Sequence, residues 1–204
     1  MSITKNIKIS TELKSYLNRS ALSVEDFTAE ELPFAERFFW GDDSIYQAEE
    51  VFRFYEEQAE RTDNEDEDVV WIVKEEWSFD KAGLHHGVIL SYSLYTKNDT
   101  DFVLLRILYS PGIIKLVRFS LSGNDAVAMG IIDEYGNRLN LKSLVGRYVG
   151  IHIGNINRND KGEIFSNITN FHFVSDEEYN FIMETYDKLC EATCDEEDEE
   201  GGEE

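Results

Sequence analysis

Apolar residues recur at helical spacing through the first third of the chain and at alternate positions through the middle, and the change of period falls near residue 68. After Ser44, the residues Ile45, Ala48, Val51, Phe52 and Tyr55 share one face of a 3.6-residue period, while Glu49, Glu56 and Glu57 fall elsewhere on the surface. That pattern predicts an amphipathic helix docked on something. Thr28-x-x-Glu31 and Ser44-x-x-Gln47 each match a capping box, in which a hydroxyl and the side chain three residues on satisfy backbone amides reciprocally. The polar run at 61–68, RTDNEDED, has nothing to bury and predicts a linker or exposed loop.

Beyond it the period becomes two. Segments 69–73, 87–95, 101–109, 112–121, 147–156 and 163–173 are rich in β-branched and aromatic residues and are separated by Gly, Asn and Asp, which predicts six strands. The gaps at 96–100, 110–112 and 157–163 are short enough for hairpins, so those neighbours should pair antiparallel. Residues 122–146 interrupt the series with two short helices, around 125–132 and 141–145. Antiparallel strands with a helical connection before the last pair predict a small Greek-key barrel of the oligonucleotide/oligosaccharide-binding type, with a plain sandwich as the other solution. Ser175-x-x-Glu178 caps a final helix whose apolar stripe is Tyr179, Ile182, Met183, Tyr186 and Leu189. The predicted fold is therefore mainly β with flanking helices, in four parts: an acidic helical extension (1–67), an OB-like β-barrel (68–174), a C-terminal helix (175–190) and a disordered acidic tail (191–204).

Charge changes the picture. The net charge of -23 would argue against a polyanionic partner, because phosphate repels carboxylate wherever salt does not screen it. Its distribution does not: segment 1–67 nets -10, segment 175–204 nets -13, and the strand-rich segment 68–174 holds 11 basic and 11 acidic residues. Only Cys190 and Cys194 are present, too few for a structural zinc site and in keeping with a reducing compartment. No signal-peptide pattern and no long apolar run occur, which predicts a cytoplasmic protein with no membrane partner.

Catalytic chemistry finds little to work with. There is no phosphate-binding P-loop, H-E-x-x-H or G-x-S-x-G, and Asp80, Asp101, Asp133, Glu134 and Glu163 are scattered as solvated loop charges would be. The expectation is a non-enzyme without metal or cofactor. Single-strand binding instead needs rings for bases to stack on, interleaved with Lys and Arg for phosphates. In 147–156, Val149, Ile151 and Ile153 point one way and Tyr148 and His152 the other, with Gly150 leaving room above the sheet. Arg106 breaks an apolar strand, Lys115 and Arg118 fall on opposite faces of the next, and Arg147, Arg158 and Lys161 flank the last pair. Together with Tyr95 these form the candidate nucleic-acid interface. The acidic run Asp195, Glu196, Glu197, Asp198, Glu199, Glu200 is the candidate partner-binding tail: tethered beside a cationic groove it would compete with nucleic acid, and once displaced it would be held by basic patches on other proteins.

A barrel, a helix after it and an acidic C-terminus resemble the bacteriophage single-stranded DNA-binding proteins. The stretch LKSLVGRYVGIHIGNINRNDKGEIFSNITNFHF (141–173) is similar to the closing segment of one such family, in which a Leu-x-Gly turn leads into a strand, a polar loop with Gly, and a last strand. The resemblance implies sequence-independent binding of single-stranded DNA in phage replication or recombination, in the host cytoplasm, with replication or recombination proteins as further partners and a monomer or dimer as the working form. The competing reading is an acidic DNA mimic of the anti-restriction or anti-CRISPR type that occupies a nucleic-acid site on a host enzyme.

Overall fold

Capping chemistry sets the early helices. In the computed structural model, which describes residues 10–17, 22–38, 44–62, 73–121 and 141–199, the Thr28 amide donates to Glu31 Oε2 (2.6 Å) and the Glu31 amide to Thr28 Oγ1 (3.2 Å). This is the reciprocal box the sequence predicted, and helix α2 (Leu32–Phe38) follows it. A second box, Ser23 with Asp26, opens a 3-10 turn (Val24–Asp26), and α1 (Thr11–Leu17) precedes both. Helix α3 runs Ser44–Thr62 and the last helix, α4, Asp176–Glu199. α4 thus continues nine residues past the end expected at Cys190, because the acidic run contains no Gly or Pro before Gly201 to stop it. Among the tail residues, Glu200 lies outside the described residues.

The described residues fall into two units, one drawn from 1–45 and 176–204 and the other from 46–175. In the first, Leu13, Leu17, Leu22, Phe27, Leu32, Ala35, Phe181, Ile182 and Leu189 are buried, and the Phe181 ring lies 5.7 Å from Phe34 and 6.1 Å from Phe27. Lys188 spans the same unit, donating to Asp26 O (3.1 Å) with its ammonium over the Phe27 ring.

The second unit is a six-stranded sheet in the order β1-β4-β3-β2-β5-β6, from β1 (Lys74–Glu76), β2 (Gly83–Lys97), β3 (Thr100–Ser110), β4 (Ile113–Ser120), β5 (Tyr148–Arg158) and β6 (Ile164–Phe173). Strands β2, β3 and β4 are joined by hairpins and β5 returns beside β2, the 4-1-2-3 order of a Greek key. The first hairpin turns on Asn98 and Asp99, both at positive φ (51° and 57°), the two-residue turn whose twist matches the flanking strands. β2 serves two partners: Gly83 to Val88 pair with β5 and Val88 to Lys97 with β3, and a bulge between Ile89 and Ser91 bends the strand where one set gives way to the other. β1 departs from the antiparallel pattern. It pairs parallel with β4, a strand it does not precede in a hairpin. The expected strand at 69–73 lies mostly outside the described residues, as does the expected helix at 125–132; the one near 141–145 is a 3-10 turn (Leu141–Leu144).

Alternate residues fill the core: Ile89, Val103, Leu105, Ile107, Val117, Phe119, Val149, Ile151, Ile153 and Phe171, with Phe79 and Leu144 added from outside the strands. The sheet curls round this cluster. Phe119 on β4 and Phe171 on β6 meet at 5.2 Å although three strands separate them in the order, and the Phe79 amide donates to Ser166 Oγ of β6 at 3.1 Å. Among the described residues no ladder joins β6 to β1 or β4, so the sheet is open.

Candidate functional site

Two faces result from this alternation. The outer surface near the start of β2 and β5 is covered by α3, in whose predicted apolar stripe Ile45, Ala48, Val51 and Phe52 are buried and Tyr55 is half-buried. Phe52 packs on Tyr148 (4.4 Å) and edge-on to His86 (6.0 Å), and the Tyr148 hydroxyl donates to Glu56 Oε1 at 2.8 Å. Gln47 does not act as a cap. Its amide nitrogen donates to the carbonyls of His86 (2.8 Å) and Tyr109 (2.6 Å), and its oxygen accepts from the His86 amide (2.8 Å). Glu49, expected at the surface, is buried and paired with Arg53 one helical turn on.

The predicted interface residues are therefore dispersed. Tyr148 lies under α3 rather than in an open outer row. Lys115 points into the core: it is 3% exposed, donates to Glu76 Oε2 (2.6 Å) and Ser78 O (2.7 Å), and sits over the rings of Phe79 (5.2 Å) and Tyr109 (4.9 Å). It faces inward because Val117 and Phe119, two and four residues on, are core residues. Arg106 is on the outer face but paired with Glu75 at 2.8 Å. His152 lies beside His172 (5.9 Å), whose ring fills the room above Gly150: a Cβ there would stand 2.1 Å from the His172 Cε1. Arg147 is exposed above the Phe173 ring at 3.8 Å, and Arg158 and Lys161 are exposed at the β5–β6 end.

What the fold does assemble lies on the outer face at the other end of β2. Tyr95 and Phe102 stand directly opposite each other across the Asn98-Asp99 turn and stack at 5.4 Å with an interplanar angle of 19°. Arg118, exposed on β4, holds its guanidinium 5.2 Å over the Phe102 ring. Phe102 is absent from the residues predicted. Counting outward from a two-residue Asn-Asp turn places it opposite Tyr95, which is the signal that would have found it. At the same end of the hairpin an open pocket of about 240 Å³ is lined by Leu94, Tyr95, Thr96, Asp101, Phe102 and Leu121, of which the Thr96–Asp101 pair lies on the face opposite the stacked rings.

A second polar group is enclosed rather than open. The carboxyl of Glu76 is held down at about 2, first by the hydrogen bond from Lys115 and next by that from Lys74. His85 Nε2 lies 2.9 Å from the Lys81 carbonyl, which can only accept, so that nitrogen carries the proton and Nδ1 accepts from the Tyr109 hydroxyl (3.1 Å). Burial is the main cause that lowers its pKa and keeps the ring neutral.

Taken together, the described residues define a mixed α+β protein built on an open six-stranded sheet in Greek-key order. No protein-family model and no curated protein matches the chain. Among the described residues, no helix is long and apolar enough to cross a membrane, and no three His, Cys, Asp or Glu side chains are grouped to hold a metal.

Proposed function

We propose that this protein binds single-stranded DNA with little regard to sequence, across the outer face of an OB-type barrel that β2 to β6 come close to completing. The carrying observation is the stacked Tyr95–Phe102 pair with Arg118 above it: rings offer every base a π-face, and the guanidinium supplies both a cation–π contact and a phosphate partner. Their position supports the reading. OB folds take oligonucleotides on the second and third strands of the Greek key and on the loops between strands one and two and between four and five. Counted from β2, those strands are β3 and β4, which carry Phe102 and Arg118; the first loop follows Tyr95, and the second carries Lys161 next to Arg158. The acidic run from Asp195 to Glu200 then acts as an intramolecular competitor for the cations, and as a handle for replication or recombination proteins once displaced.

The test is fluorescence anisotropy with a labelled oligo-dT across a salt series. Phe102→Ala should weaken binding by roughly tenfold, the loss of one stacked base. Arg118→Ala should weaken it and flatten the salt slope by about one unit. Replacing the six acidic residues at 195–200 by their amides should tighten binding at low salt, with the difference fading as salt rises.

One observation favours the DNA-mimic reading instead. α4 carries the acidic run on a regular helix as far as Glu199, and a mimic needs its charges on folded structure. Absence of oligo-dT binding by both the native chain and the amide variant would defeat the single-strand reading and leave the mimic standing.

A further inference from the structure

The open sheet has two edges of opposite character, β1 and β6. β1 is three residues long and every one is charged, Lys74, Glu75 and Glu76, with Lys74 paired to Glu76 and Glu75 to Arg106. Short, charged edges resist pairing with another chain. β6 is ten residues long and carries no Asp, Glu, Lys or Arg from Ile164 to Phe173, in a chain that is 30% charged. It is rich instead in Ile and Phe, which favour extended pairing.

The main-chain groups that β6 offers can be counted from its turn. The Asn159 amide donates to the Glu163 carbonyl (3.1 Å), and bonded pairs in an antiparallel ladder recur at every second residue. Phe165 and Asn167 therefore bond to Asn157 and Asn155 of β5, while the N–H and C=O groups of Ile164, Ser166 and Ile168 point away from it. Among the described residues, no bond reaches those outward main-chain groups; Phe79 takes only the Ser166 hydroxyl, from the core side. Past the register shift at Thr169 the edge is closed locally, since the Phe171 amide donates to Asn170 Oδ1 at 2.9 Å. Side chains on the open stretch alternate as well: Ile164, Ser166 and Ile168 are half-buried, and Phe165 (55% exposed) and Asn167 stand on the outer face.

We infer that stretch 164–168 pairs with the same stretch of a second copy of this chain, antiparallel about a two-fold axis at Ser166. Ile164 then opposes Ile168 of the second copy and Ser166 opposes Ser166, and each such pair exchanges two N–H···O bonds. Phe165 opposes Asn167 on the outer face, so Ile meets Ile on one face and no charge opposes another on either. The occupant follows from charge. A second copy brings a net charge of -23, which disfavours contact through acidic residues, and 164–168 is a stretch that contributes none of it. A two-fold contact also needs a surface complementary to itself, which an uncharged strand with an Ile on either side of its centre provides. The pairing is narrow and belongs among transient interfaces. It stands independently of the single-strand reading.

The experiment is sedimentation velocity of the full chain from about 5 to about 500 µM, read together with amide hydrogen exchange at both ends of that range. A concentration-dependent dimer is expected. Raising NaCl from about 50 to about 500 mM should tighten it severalfold, because the contact is neutral and salt screens the repulsion between two acidic chains. In the dimer the amides of Ile164, Ser166 and Ile168 should gain protection, while those of Phe165 and Asn167, already bonded to β5, stay as they are. Phe165→Lys combined with Asn167→Lys, both at exposed positions, sets like charges opposite each other and should raise the dissociation constant roughly tenfold. Phe165→Lys combined with Asn167→Glu sets opposite charges there and should restore the dimer, which a variant that merely misfolds cannot do. A chain that stays monomeric throughout, a dimer that weakens with salt, a dimer indifferent to the like-charge variant, or an opposite-charge variant that pairs no better than the like-charge one overturns the inference and leaves single-strand binding in place.

Discussion

Lys115 carries the strongest electrostatic argument at the scale of single residues. Its ammonium is buried with Glu76 as its carboxylate partner, and a buried charge that loses its partner costs about 3–5 kcal/mol. Glu76→Gln should therefore destabilise the protein by about 3 kcal/mol in urea melts. Lys115→Met should cost clearly less, because the thioether suits the neighbouring Phe79 and Tyr109 rings and Glu76 keeps Lys74 and solvent. The sign of the pH effect follows from linkage. Glu76 has a folded pKa of about 2 against an ordinary value of 4.5, so its contribution is complete above about pH 4.5 and is lost as the pH falls toward 2. His85, whose pKa is lowered chiefly by burial, adds a loss that begins as the pH drops below 6.5. Thermal melts of native chain and Glu76→Gln between pH 7 and pH 3 should converge at the acid end, and parallel curves would refute the assignment. None of this was legible in the sequence, where Lys115 read as a surface cation. Alternation placed it opposite Arg118, but only the parallel β1 brings Glu76 to it.

Elements were easier to read than their neighbours. Strand alternation, the short hairpin gaps, the Thr28–Glu31 box and the buried stripe of α3 all follow from local spacing, and the fold contains them. Which sheet face α3 covers does not follow from spacing, since Phe52 meets Tyr148 across almost a hundred residues of chain. The sequence therefore offered Tyr148 to a ligand when its ring was already packed and its hydroxyl already bonded. Gln47 misled for a related reason: its local capping pattern lost to three hydrogen bonds with distant strands. Gln47→Leu leaves the His86 amide and the Tyr109 carbonyl without that partner in a part-buried site, and should lower stability by about 2–3 kcal/mol, read as a drop in Tm. Gly87 sets a second element-scale limit. A Cβ there would lie 2.4 Å from Ile107 Cγ2 and 2.5 Å from the Leu108 carbonyl oxygen, so Gly87→Ala forces β2 and β3 apart and should cost at least 2 kcal/mol or prevent soluble expression.

At the scale of the whole molecule, the charge of -23 is carried by the flanking segments and the strand-rich segment 68–174 nets zero, which is the distribution the proposed single-strand binding requires. Charge bookkeeping by segment was legible, and so was the Greek-key order; closure was not, because it depends on edges rather than on any strand's own pattern. That edge has a dynamic consequence. Across the side of the sheet where β4 faces β6, the described contacts are a ring pair, Phe119 with Phe171, and one amide-to-hydroxyl bond, Phe79 to Ser166, in place of a run of paired amides. Hydrogen exchange should find the central amides of β2 and β3 protected to the limit of global unfolding, and those of β1 and β6 exchanging through a smaller, cheaper opening. The polypeptide would then breathe along a single slit, with the bent β2 as its spine.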